Sequence, residues 1–183
     1  DVVQAGNFGP IRVLAEYATA AQKKRFLAPL LKGEAVIAVG MTEPDAGSAV
    51  TELKTSATPE GDGYRITGSK VFVTHSGYAD MVLTYVRFGP GTAGIGSVLI
   101  DTKAPGVKRG KSCAFMSGEE WAELVFDGVH VPSEHVLLGA GGFTFAFALG
   151  DAPAMAARVG KQVSGKPFSP WVSIAPDGTI TIM

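Results

Sequence analysis

Cysteine is nearly absent from this sequence: its 183 residues include one, Cys113, so there is no internal disulfide and no thiolate cluster for a metal. A reduced, partly buried thiol is expected there. Histidine is scarce too, with only His75, His130 and His135. The last two flank a Val131-Pro132 break with no acid or thiol to complete a ligand set, so no metal site is expected. No apolar run approaches the ~20 residues that span a bilayer. The first residues lack a basic stretch leading into an apolar one, so no secretory signal is expected and the chain reads as cytoplasmic. No basic block disturbs the near balance of 16 Lys+Arg against 17 Asp+Glu, which leaves no electrostatic footprint for nucleic acid. No G-x-G-x-x-G joins a strand to a helix, which argues against a nicotinamide Rossmann site. No Ser-His-acid arrangement is identifiable, and there is no internal repeat.

What is present points to a folded β-rich chain. Hydrophobic residues make up 46% against 18% charged, which excludes disorder, and the 24 glycines suit short strands joined by tight turns. The opening DVVQAGNFGP has no initiator methionine and fits a chain whose N-terminal part is missing or processed. Thr19-Ala20-Ala21-Gln22 reads as a capping box. A helix follows with Phe26, Leu27, Leu30 and Leu31 on one side and Lys23, Lys24 and Arg25 on the wet side. Gly33 can close it in a left-handed turn, and Pro29 predicts a kink or two short helices. From residue 35 the period becomes strand-like, with strands expected at 35–41, 53–57, 64–66, 71–74, 81–86, 97–101, 107–111 and 122–126. Turns are expected at 59–63, 89–91 and 105–106. Short strands at this spacing predict a mainly β fold, an antiparallel barrel or two-sheet sandwich over 35–131, with short helices before it.

Two strings carry the chemistry. In MTEPDAGS (41–48) an apolar run ends in a turn where backbone N–H groups and two hydroxyls can meet a polar ligand, with Gly47 permitting close approach. In GSKVFVTHS (68–76) Phe72 can lie against an aromatic ring. Thr74, two residues on and so on the same strand face, can donate a hydrogen bond to a ring nitrogen. Each alone is compatible with an ordinary turn and an ordinary core strand.

In this order the strings resemble the T-E-P-x-A-G-S-D and G-x-K-x-W-I-T segments of the middle β-domain of the acyl-CoA dehydrogenases. Leu27, Pro29, Gly33 and Glu34 match that family's L-x-P-x-x-x-G-E helix end, and LVFDGVHVPSEHVLLG (124–139) resembles its F-D-x-V-x-V-P segment. The resemblance covers residues 1–148. It implies an end of the N-terminal helical domain at 1–34, a flavin- and acyl-CoA-binding β-domain at 35–142 and a helical segment at 143–165. It implies FAD as cofactor, α,β-dehydrogenation of an acyl-CoA substrate, and electron transfer to an electron-transfer flavoprotein. The family's oligomer is built by a domain this chain does not match, so its own assembly stays open.

Carried over by motif position, Val39, Met41 and Thr42 contact the flavin through backbone and hydroxyl groups. Gly47 and Ser48 approach the pyrophosphate, with Ser48 also near substrate. Phe72 and Val73 flank the ring, and Thr74 reaches its N5. Phe72 replaces the usual Trp, Ala49 the usual Asp, and His75 stands where Asn is common. The family's catalytic base, a glutamate of its C-terminal helical domain, has no counterpart: residues 149–183 contain no Glu. Glu43, Glu119 and Glu120 suit structural roles better than proton abstraction, so the chain is expected to be a fragment lacking its base. A non-catalytic flavin-binding or interaction module is the alternative.

After Phe143 the pattern changes. A helix from 143, a cap at Asp151, an alanine-rich helix at 152–159 and a linker at 166–171 are expected. The end, WVSIAPDGTITIM, reads as strand, turn and strand. It resembles N-P-W-V-x-I-x-x-D-G-T-V of the large subunit of isoquinoline 1-oxidoreductase-type molybdenum hydroxylases. A generic hairpin explains it equally well.

Overall fold

In the computed structural model the described residues are 2–116, 118–138, 172–174 and 180–182, with side chains described for 9–116 and 118–137. The chain divides into two compact units, 1–145 and 146–183.

The first unit opens with helix α1 (Val2–Tyr17), which the sequence did not announce because Gly6, Gly9 and Pro10 interrupt its period. The expected capping box is present: the Gln22 N–H donates to Thr19 Oγ1, and the Thr19 N–H donates to the Gln22 side chain. Helix α2 (Ala20–Gln22) runs through a π turn (Lys23–Leu27) into α3 (Ala28–Lys32), which Gly33 closes at φ +73°. Pro29 thus acts through a π turn, whose wider winding relieves the clash of its ring with the preceding turn. Leu31, expected on the apolar side, is 67% exposed, because the buried stripe is Phe26, Leu27 and Leu30.

Nine strands follow. These are β1 (Ile37–Gly40), β2 (Ser56–Glu60), β3 (Gly63–Thr74), β4 (Met81–Arg87), β5 (Ile95–Asp101), β6 (Val107–Arg109), β7 (Cys113–Ala114), β8 (Glu120–Pro132) and β9 (Val136–Leu138). They form one sheet in the order β6-β8-β3-β2-β4-β5-β9, with β1 beside β4 and β7 beside β8. The sheet is mainly antiparallel and does not close. β1 joins β4 in parallel, and β2 meets β4 only through the parallel pair Ser56 and Arg87. Two half-sheets are hinged at that single pair.

Burial explains the layering. Ala57, Ile66, Val73, Leu124, Phe126 and Val129 of one half meet Ala38, Val82, Val86, Val98 and Ile100 of the other in one apolar cluster. Each fully buried Leu or Phe there contributes about 1.5–3 kcal/mol. The opposite faces of β1, β4 and β5 present Ile37, Leu83 and Leu99 to Leu14, Phe26, Leu27 and Leu30 of the helices. The sandwich expectation therefore holds in its layers, while the closed barrel gives way to an open sheet.

Several expected boundaries move. The strands expected at 64–66 and 71–74 are one strand, β3, and that at 122–126 extends over Glu120–Pro132. Pro59 and Glu60 lie in β2 rather than in a turn, and Leu53 precedes β2. Cys113 is exposed, not partly buried, because the two-residue strand that holds it pairs with β8 alone. Among the described residues no helix is long and apolar enough to cross a membrane, and no His, Cys, Asp and Glu gather as a metal site requires.

In the second unit, β10 (Val172–Ile174) and β11 (Ile180–Ile182) pair antiparallel, as the terminal hairpin reading expected. The helices expected between 143 and 159 and the linker at 166–171 lie outside the described residues.

Candidate functional site

The turn after β1 is built on one buried carboxylate. Glu43 and Ala46 exchange backbone hydrogen bonds at 3.0 and 3.2 Å, which leaves Pro44 and Asp45 at the exposed tip. The Glu43 side chain points inward and is only 6% exposed. Its Oε2 accepts the Lys54 N–H at 2.6 Å, and its Oε1 accepts the Thr55 N–H at 2.9 Å and Lys70 Nζ at 2.8 Å. Lys70, with no exposed surface, also donates to the Met41 carbonyl at 3.1 Å. Burial acts to raise the Glu43 carboxyl, but the Lys70 ammonium, the Thr55 side chain and the Lys54 N–H outweigh it and hold the group below its usual value. Burial pushes the Lys70 ammonium down, against the pull of Glu43.

The same turn is joined to β3 through the backbone. The Val71 N–H donates to the Thr42 carbonyl at 2.9 Å. The Met81 N–H donates to Val36 O, which sets the alternation along β1: residues 36, 38 and 40 bond toward β4. The backbone groups of Val39 and Met41 therefore point away from β4, and the Met41 carbonyl there accepts Lys70 Nζ. Among the described residues neither the Met41 nor the Thr42 N–H has an acceptor. At Gly47 a side chain would meet nothing within 4 Å and the backbone is ordinary, so no contact within the described protein requires glycine there.

The end of β3 carries a β-bulge. Lys70 pairs with Leu124 and Val73 with Ala122, so β3 spends one extra residue and Phe72 takes φ +56°. This conformation turns the Phe72 ring outward, 55% exposed, with its centroid 4.6 Å from that of Trp121 and the planes at 52°. Trp121 is the cross-strand partner of Thr74, and Phe115 lies 6.1 Å beyond it. His75, at φ +67°, is 2% exposed. Its N–H donates to Glu120 O, and its Nε2 lies 3.9 Å from the Glu119 carboxylate. Glu120 in turn accepts a hydrogen bond from Ser112 Oγ.

The sequence-derived residues thus divide. Met41 and Thr42 meet the end of β3; Phe72 is exposed, Thr74 half-buried, and Gly47 and Ser48 lie open beyond the turn. Val73 is fully buried in the main core, so it can reach a ligand only through its backbone, while Val39 is half-buried beside Tyr85 and Ile95. A separate groove of about 500 Å³, lined by residues including Glu43, Lys54, Ser69, Lys108 and Asp127, is lined by none of these eight. Two residues went unrecognised as parts of the site. Lys70 was legible as the lysine of the G-x-K-x-W-I-T resemblance but was given no role there, and Trp121 carried no signal beyond its aromatic type.

Comparison with known proteins matches residues 38–129 to the family described as "Acyl-CoA dehydrogenase, middle domain". The chain belongs to the acyl-CoA dehydrogenase family, a family of oxidoreductases. It is 37% identical over 139 residues to the short-chain-specific acyl-CoA dehydrogenase of Megasphaera elsdenii, covering 73% of this chain and 36% of that protein. Its fold superposes on butyryl-CoA dehydrogenase from M. elsdenii with a TM-score of 0.74 at 33% identity, covering 79% of this chain and 39% of the other. It also superposes on the FAD complex of PigA with a TM-score of 0.68 at 29% identity, covering 72% and 35%. The chain spans just over a third of the length of these relatives.

Proposed function

We propose that this chain forms the flavin-facing β-unit of an FAD-dependent acyl-CoA dehydrogenase. The reaction is α,β-dehydrogenation of an acyl-CoA thioester, with electrons passing on to an electron-transfer flavoprotein. The observation that carries this reading is the hydrogen bond from the Val71 N–H to the Thr42 carbonyl. It brings together two strings that lie far apart in sequence and that one ring system would have to touch.

The residues fit the cofactor. The Met41 and Thr42 N–H groups are donors without acceptors among the described residues, and the Phe72 ring offers a free face. Gly47 leaves open space where a side chain would stand. Met41, Thr42 and Val39 would hold one edge of the ring system through backbone and hydroxyl groups. Phe72 and the Val73 backbone would flank it, Thr74 would donate to N5, and Gly47 and Ser48 would take the pyrophosphate. Ser48 also stands near the substrate in this reading. The relation of PigA to FAD supports the assignment. Bound there, the flavin supplies a two-electron acceptor for the substrate's β-hydrogen.

Proton abstraction is a separate requirement, and the three carboxylates beside the two strings are each engaged elsewhere. Glu43 is committed to three donors, Glu120 takes Ser112, and Glu119 faces His75. The chain by itself is therefore expected to bind FAD only weakly and not to dehydrogenate acyl-CoA, in line with a fragment that lacks its base. Purification with excess FAD, flavin fluorescence titration, and dye reduction with short, medium and long acyl-CoAs test this. Saturable flavin binding without turnover is expected; turnover with any acyl-CoA would show that a base was overlooked. The molybdenum-hydroxylase resemblance rests on the terminal motif and its hairpin alone. Molybdopterin binding to the isolated chain would be its test.

A further inference from the structure

The pair formed by Lys70 and Glu43 is costly where it stands. Both side chains are almost wholly withdrawn from water, and removing two charges from solvent costs more than their attraction usually returns. An apolar pair would hold these strands together at least as well. What an apolar pair could not do is make directional bonds. The Glu43 carboxylate takes the Lys54 and Thr55 N–H groups from the approach to β2, and Lys70 takes the Met41 carbonyl from the end of β1. Two segments, the end of β1 with its turn and the approach to β2, are thereby locked to β3 through two side chains. The Met41 and Thr42 carbonyls are both taken by β3, one by Lys70 Nζ and the other by the Val71 N–H. The Lys70 bond fixes the peptide that joins Met41 to Thr42, and with it the direction of the Thr42 N–H, which has no acceptor among the described residues; the Met41 N–H belongs to the preceding peptide, whose Gly40 pairs with Thr84 of β4.

Neither residue is free to touch a ligand. We propose that Lys70 and Glu43 are positioning residues that set the turn after Met41, and with it the Thr42 donor, at the face shared with Phe72 and Thr74. The proposal rests on the flavin reading for the identity of the ligand. Its structural half, the orientation of the turn, stands on the hydrogen bonds alone. Breaking the pair and removing the pair should differ. Lys70→Met alone leaves a buried carboxylate unneutralised and destabilises the fold. Lys70→Met with Glu43→Gln removes both charges, so the fold is retained while the turn loses its directional anchors.

The test compares the wild-type chain with the double variant and with Glu43→Gln alone, the second guarding against a double variant that fails to fold. Amide exchange is followed at Lys54, Thr55 and Val71, with Val82 and Leu99 as internal controls. FAD affinity and the visible spectrum of the bound flavin are measured in parallel. Expected is exchange at least tenfold faster at the three reporter amides with the controls unchanged, together with at least tenfold weaker FAD binding and an altered flavin band. Unchanged reporter amides in the folded variants would overturn the positioning role. Faster amides with wild-type FAD affinity and spectrum would overturn its link to the ligand. A wild-type chain that binds no FAD, with amides responding as expected, would overturn the flavin reading and leave the turn-setting role standing.

Discussion

The Val71 N–H donates to the Thr42 carbonyl at 2.9 Å, across 29 residues of chain that include all of β2 and most of β3. One residue further along β3 the bulge turns the Phe72 ring outward, and one residue earlier Lys70 turns inward to the Met41 carbonyl. A single turn of the backbone thus separates the group that holds the site from the group that faces outward.

Phe72 should matter more to a ligand than to the fold. Phe72→Ala gives up the contact with Trp121 and should lower stability by about 1 kcal/mol. Phe72→Gly loses the same contact but relaxes the +56° backbone, recovering about 1 kcal/mol relative to alanine. Urea unfolding followed by circular dichroism should therefore rank glycine above alanine, while both variants weaken FAD binding. Alanine at or above glycine would show that the positive φ carries no strain.

Two glycines of the motifs should behave oppositely on substitution. At Gly68, with φ +148°, an added Cβ would fall 2.5–2.8 Å from Thr55, so Gly68→Ala should cost at least about 2 kcal/mol in urea unfolding. At Gly47 the space is empty, and Gly47→Ala should stay within about 0.5 kcal/mol of wild type. If Gly47 leaves room for a pyrophosphate, that neutral variant should still bind FAD more weakly.

His135 should make stability depend on pH. Burial holds its imidazole below the ordinary value of 6.5, against the hydrogen bond to Leu99 O and the neighbouring acids. A group depressed in the folded state contributes stability fully above its unfolded pKa and loses it as pH falls through the lower folded value. Melting temperature should thus decline as pH drops below about 6.5, and His135→Gln should flatten that part of the profile. Glu43, also depressed, should add a second loss below its ordinary 4.5, absent from Glu43→Gln.

The strands were legible where a continuous run marks a strand buried on both faces, as in β4 and β5, and obscured where the backbone departs from a regular pattern. β3 read as two pieces because Gly68 and Lys70 break its hydrophobic pattern, the first for close approach to Thr55 and the second as a buried charge whose partner lies 27 residues away. α1 was hidden by its glycines and Pro10. The parallel pairing of β1 with β4 depends on long-range packing that no local pattern encodes. The candidate site was legible as residue types, Thr42 and Phe72 above all. The bulge that exposes Phe72 and the inward turn of Glu43 were not.

Before any dehydrogenation can be discussed for this protein, one face must hold the flavin. Backbone amide shifts of the isotopically labelled chain, recorded through a titration with FAD, test that most directly. The account predicts saturable shifts concentrated at Met41, Thr42, Gly47, Ser48, Phe72, Val73 and Thr74, together with quenching of Trp121, and none along β6 or β9. Saturable shifts centred on the groove beside Lys54 and Lys108, or no saturable shift at all, would contradict it.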